Sequence, residues 1–230
     1  MGGERLRRHA VPIGVLNAVD VDRQPGGGVV ARKLSRLAEA KLIKERLASV
    51  GAPSISKAHP AHHDFPILGN FNDRQLTNSF SSPDHGLAVA DYIRPAGKSV
   101  ELFSLLAFTV AGLNMPYVSV TLRGLGILMV GGPSAVELES IDFDQRFTVR
   151  AKDRRSAMML LDPRIMQLLL DCADVNFDMV GDKALAYVNR AAEAAHKPSE
   201  PIEFEMLFRF VDGFVARVPD LLRSEYGSTA

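Results

Sequence analysis

Three of the chain's six histidines fall within five residues, in His59-Pro60-Ala61-His62-His63-Asp64. This is the one cluster with ligand-type spacing. Imidazoles suit zinc or another transition metal, and the carboxylate could complete the set. Such a centre would activate water for a metal-dependent hydrolase built on His59, His62, His63 and Asp64. The segment is polar and contains proline, however, and no second cluster matches it. A histidine-rich linker is the better fit.

Other reactive residue types resolve into plainer roles. Asp84 and His85 sit in a stretch rich in turn residues, Ser82-Pro83-Asp84-His85-Gly86. Turn polarity accounts for both, and Ser81 and Ser82 are neighbours only in sequence. Asp142 and Asp144 do not share a helical face, and Asp142 has Arg146 four residues on. Gly26-Gly27-Gly28 and the glycines from Gly124 to Gly132 lack the Gly-Lys-Ser/Thr ending of a phosphate loop. Cys172, between Asp171 and Ala173, reads as a small buried hydrophobe. No catalytic residue and no cofactor is expected.

The elements that must position these residues follow from pattern. Of 230 residues, 47% are hydrophobic and 23% charged, which excludes a disordered chain. The single cysteine excludes a disulfide scaffold. Val100 to Leu113, the most apolar stretch, is too short and too interrupted to span a membrane. No secretory signal is read in Met1 to Ala18, so a cytoplasmic location is expected.

The formal net charge of zero conceals a division. Residues 1–57 hold eleven Lys/Arg against five Asp/Glu, a balance of +6 that leaves −6 for the remainder. Val29 to Val50 reads as an amphipathic helix, ended by Gly51-Ala52-Pro53. Ser54 to Asp64 is a linker, which divides the chain into a basic helical arm (residues 1–63) and a body (residues 64–230).

Within the body, Leu76–Ser81 and Leu87–Ile93 predict a hairpin, and Pro95-Ala96-Gly97-Lys98 a second turn. Val100–Val110 fits helix or strand. Strand is chosen because Tyr117–Leu122 alternates clearly and neighbouring strands usually pair. Asn114-Met115-Pro116 then connects the two. Ser140 precedes a helical turn with Phe143 and Phe147 on one face. Asp153 caps a helix over Arg154–Leu160, and Asp162 with Pro163 starts another that buries Met166 and its neighbours. Val175–Val180 and Lys183–Val188 form a hairpin across Gly181-Asp182. Phe204 to Leu222 keeps helical spacing, with Pro219 kinking it or beginning a new turn, and the tail from Gly227 frays. The class is α+β. It has an antiparallel sheet, flat or as a partly open barrel, packed by helices, with the helical arm before it and a long helix at the end.

The run from Val136 to Val188 is the most distinctive. It carries Leu138-Glu139, Phe143, Phe147-Thr148-Val149, Asp153, Ala157, Leu161-Asp162-Pro163, Met166 and Leu169-Leu170, and ends in Ala186-Tyr187-Val188. This text resembles a bacterial family, common in an actinobacterial form, known only as domain of unknown function three-one-three-seven. Phe65-Pro66 and Ala90-Asp91-Tyr92 extend the likeness to about residues 65–190. The resemblance implies an antiparallel sheet with a packed helix and no established activity. Many members carry hydrophobic segments ahead of this core, where the present chain has its basic helix instead.

Phe143, Phe147, Asp153, Asp162, Pro163 and Met166 are packing and capping residues, none of them a nucleophile or base. Such a motif favours a non-enzymatic binding domain over an enzyme. The expected contact element is the arm, through Arg32, Lys33, Arg36, Lys41 and Lys44. Its partner would be a protein or a second copy. Nucleic acid is the weaker alternative, because the basic region has no aromatic residue on which bases could stack.

Overall fold

A computed structural model describes residues 41–43, 45–46, 65, 67–68, 76–82, 86–96, 99–125, 133–172, 174–190 and 203–227. Among the described residues there are eight strands: β1 (Leu76–Ser82), β2 (Leu87–Ala96), β3 (Ser99–Thr109), β4 (Met115–Leu122), β5 (Ala135–Val136), β6 (Phe147–Ala151), β7 (Asn176–Gly181) and β8 (Lys183–Asn189). They form one sheet in the order β1-β2-β3-β8-β7-β4-β6-β5. Every neighbouring pair is antiparallel. Helices with bounds among the described residues are α1 (Ile141–Arg146), α2 (Arg154–Leu160), α3 (Pro163–Asp171), α4 (Glu203–Val215) and α5 (Asp220–Tyr226). The fold is α+β, and its sheet is open, with β1 and β5 as edges.

Val100–Val110 is a strand, for a reason other than the expected one. β3 does not pair with β4. The later hairpin β7–β8 lies between them, with β8 in register along β3 from Phe103↔Asn189 to Thr109↔Lys183. β4 pairs with β7 and β6 instead. β3 is central and buried on both faces, which erases the alternation that would have marked it as a strand. Two turns are also shorter than their sequence suggests. Pro95 and Ala96 belong to β2, and Met115 and Pro116 begin β4. The register shifts between Met115 and Val118, an irregularity suited to a proline.

One face of the sheet carries the main core. Val118 and Val120 of β4, Phe177 and Met179 of β7 and Leu106 and Phe108 of β3 belong to it, and α4 packs over β3 and β8. Phe177, Phe210 and Phe214 form an aromatic cluster there, with ring centroids 4.7–5.8 Å apart. α3 packs on α4 at Gly213, where a Cβ would come within 2.7 Å of Leu168 Cδ1. Arg190 pairs with Asp91 at 3.3 Å and lies over the Phe204 ring, fixing the start of α4 to the sheet. The last helical stretch is broken, as the proline suggested: α4 ends at Val215 and α5 begins after Pro219. Gly227 bridges Leu113, so the chain is held that far.

The capping motif is built as the sequence reads. Asp153 accepts from the Arg155 and Ser156 amides at 3.2 and 2.9 Å. Asp162 accepts from the Arg164 and Ile165 amides, each at 2.9 Å, and Pro163 opens α3. Phe143 and Phe147 stack at 4.8 Å. Met166 is only half-buried, while Ile165, Leu168 and Leu169 fill the core. Ser140 precedes α1 without a side-chain capping bond.

Residues 41–43 and 45–46 are helical and packed on the body. Ile43 belongs to the main core. Arg46 is buried, ion-paired with Asp212 of α4 and 5.5 Å from the Phe208 ring. The remainder of the Val29–Val50 helix lies outside the described residues.

Candidate functional site

Most sequence-level candidates fall where the structure is not described. Arg32, Lys33, Arg36 and Lys44, the cluster His59, His62, His63 and Asp64, and the turn residues Asp84 and His85 all lie outside the described residues. Lys41 is exposed and sits 3.6 Å from Glu45, one helical turn on. Asp142 is exposed on α1, whereas Asp144 accepts from the Leu138 amide at 3.3 Å. Cys172 is buried in the main core, and burial raises its thiol pKa, as suits an inert side chain. Among the described residues no group of three or more His, Cys, Asp or Glu is placed to hold a metal. No helix among them is long and apolar enough to cross a membrane.

Two other places concentrate polar side chains. The first is on the sheet face opposite α4. Its β1-β2-β3-β8 half is apolar, with Phe103, Leu105, Leu185 and Tyr187 beneath Phe65, Ile67 and Leu68. Towards β7, β4 and β6 it turns polar. Register sets Ser119 opposite both Asp178 and Arg150. Tyr117 lies two residues before Ser119, and Tyr187 stands diagonally from Asp178 on β8.

Asp178 and Tyr187 are fully buried. Burial pushes the Asp178 carboxyl up to about 7, against the opposing pull of the Ser119 and Tyr117 hydroxyls. Those hydroxyls are close enough to favour the charged form, but neither bonds it with good geometry. Both carboxylate oxygens, Ser119 Oγ, Tyr187 OH and Arg150 Nε lack a hydrogen-bond partner among the described residues. Burial likewise raises the pKa of Tyr117 and Tyr187. A carboxylic acid titrating near neutrality can handle protons. This one is fully buried among the described residues, so its charge state bears on the fold.

The second place is on the surface, where α2 meets α5. Tyr226 OH donates to Asp153 Oδ2 at 3.0 Å, and Arg155 pairs with Glu225 at 3.0 Å. The start of α2 therefore meets the end of α5. The bonds from Ser156, Tyr226 and Arg155 hold the Asp153 carboxyl below its ordinary pKa, so it stays charged. Met158, one turn after Arg155, is 44% exposed, and Leu221, one turn before Glu225, is 62% exposed. A shallow depression beside Met158 is lined by Asp153, Arg154, Arg155 and Met159. Lys152 and Arg154 are exposed and form no ion pair among the described residues.

Neither place was singled out from sequence. Tyr117, Ser119 and Thr121 share one face of an alternating strand, and that polar set was the available signal for the first. The second was signalled by two methionines, Met158 and Met159, one turn beyond Arg154 and Arg155. Its other half, Leu221, is far away in sequence.

No family model matches the chain. No curated protein matches it. Among solved structures, it is similar to the crystal structure of the mycobacterial trehalose monomycolate transport factor A, TtfA. That likeness covers 86% of this chain and 99% of that one, at 15% identity and a TM-score of 0.41, and carries no argument about function.

Proposed function

We propose that the chain is a non-enzymatic interaction domain that binds another protein through the α2–α5 face. One observation carries this reading. Two helices tied by Tyr226–Asp153 and Arg155–Glu225 carry Met158 and Leu221 exposed to solvent. A lone exposed apolar side chain needs no explanation, but two on adjoining fixed helices, beside a half-buried methionine, make a docking patch. Methionine adapts its shape to a partner, which suits such a patch. The resemblance to a family without established activity is compatible with this reading.

Of the basic arm, Ile43 belongs to the main core and Arg46 pairs with Asp212 of α4, while Lys41 is exposed. Photo-cross-linking from residues placed at 158 and 221, with 141 as a control on α1, tests the proposal. Positions 158 and 221 should yield the same protein adduct and position 141 should not. Adducts equal at all three positions would contradict the proposal.

A further inference from the structure

The docking patch has a charge that narrows what it accepts. Residues 146–164 carry six Lys/Arg (Arg146, Arg150, Lys152, Arg154, Arg155, Arg164) and two Asp (Asp153, Asp162). The rest of residues 58–230 carries ten Lys/Arg against twenty Asp/Glu. A net of +4 thus stands inside a body that is otherwise −10. Both aspartates of the segment are occupied. Asp153 caps α2 and accepts from Tyr226, and Asp162 caps α3 and pairs with Arg164 at 2.9 Å. Arg155 is matched by Glu225. On α5, Asp220 and Arg223 are both exposed, and Arg223 Nη1 donates to the Ala111 carbonyl at 3.2 Å. Arg154 lines the depression beside Met158 and Lys152 stands just before Asp153, and neither forms an ion pair among the described residues.

We infer that the α2–α5 face binds an acidic amphipathic segment of a partner protein, with apolar anchors on Met158 and Leu221 and carboxylates on Lys152 and Arg154. This rests on the reading of that face as a protein-docking patch. Two rival occupants fit less well. A second copy placed symmetrically would bring two faces of the same net charge together, which disfavours it. An anionic membrane would need apolar anchors suited to the headgroup region. It would find no aromatic anchor, because the exposed large apolar side chains among the described residues are Ile93, Ile141, Met158, Val215 and Leu221.

The test uses the full chain with methyl-labelled methionine, followed by NMR. Three synthetic amphipathic helical peptides share one leucine face and differ in carrying Glu, Gln or Lys on their polar positions. Vesicles of anionic phospholipid form a fourth arm. The Glu peptide should shift the Met158 methyl and bind about tenfold more tightly than the Gln peptide, with affinity falling as salt rises. Lys152→Glu/Arg154→Glu should remove that advantage and transfer it to the Lys peptide. Equal binding of Glu and Gln peptides would overturn the acidic-partner inference while leaving a protein-docking patch in place. Vesicles shifting Met158 when no peptide does would overturn both. So would silence of Met158 in all four arms while Met158→Asp/Leu221→Asp leaves the cross-links from a residue placed at 159 unchanged.

Discussion

The α2–α5 contact and the polar end of the second sheet face are built from the same parts. One gathers Asp153, Ser156, Tyr226 and Arg155, the other Asp178, Ser119, Tyr117 and Arg150. In the first, backbone amides and the tyrosine hydroxyl all aim at the carboxylate, and its pKa falls. In the second, the carboxylate lies inside a sheet whose amides are already engaged in the ladder, and its pKa rises. Residue type is therefore a poor guide to the role of an aspartate. What decides it is the number of donors that the local backbone leaves free. A helix start has several, and the middle of a sheet has none.

The comparison is sharpest as a pH experiment, where the expected effect is largest. Asp178 has its pKa raised from 3.8 to about 7. Its contribution to stability is complete below the unfolded-state value and is lost as pH rises through about 7. The loss is about 4 kcal/mol over that window. Asp178→Asn should remove this decline in denaturation curves recorded from pH 4 to pH 8. An unchanged slope would mean that some other group sets it.

Asp153 should behave in the opposite sense. Its pKa is lowered, so its contribution is present above the unfolded value and is lost as pH falls through the folded one. Asp153→Ala should therefore lower the thermal midpoint at pH 7 and have little effect at pH 2. Its effect at pH 7 should exceed that of Tyr226→Phe, which removes one of the two polar links between α2 and α5, worth about 1 kcal/mol. Equal effects from the two variants would show that the cap contributes nothing beyond that link. At the small end, Met158→Asp/Leu221→Asp should leave stability within about 0.5 kcal/mol of wild type, since neither side chain is buried. A larger loss would mean that the two side chains support the fold and are not a docking patch.

The two regions also differ in how far they can be read from sequence. Local signals carried well. Asp153 and Asp162-Pro163 mark helix starts because capping depends on residues three or four positions apart, and Gly181-Asp182 marks a hairpin for the same reason. Phe143 and Phe147 stack because one turn separates them. Non-local order did not carry. Nothing in Val100–Val110 announces that β8, some eighty residues later, will lie beside it in place of β4. The polar cluster depends on that same insertion, since only the β8–β7–β4–β6 order brings Tyr187, Asp178, Ser119 and Arg150 together. The docking patch escaped for a like reason, its two halves lying on α2 and α5. The division of charge between arm and body was legible as composition. Its consequence was not, because Arg46 meets Asp212 across 166 residues.

The most direct test of the central claim is the cross-link formed from position 158 in three otherwise identical chains: wild type, Arg154→Glu and Asp178→Asn. A patch that recognises an acidic partner should give one protein adduct in wild type and in Asp178→Asn, and should lose it in Arg154→Glu. An adduct that persists in Arg154→Glu, or that disappears only in Asp178→Asn, would contradict the account.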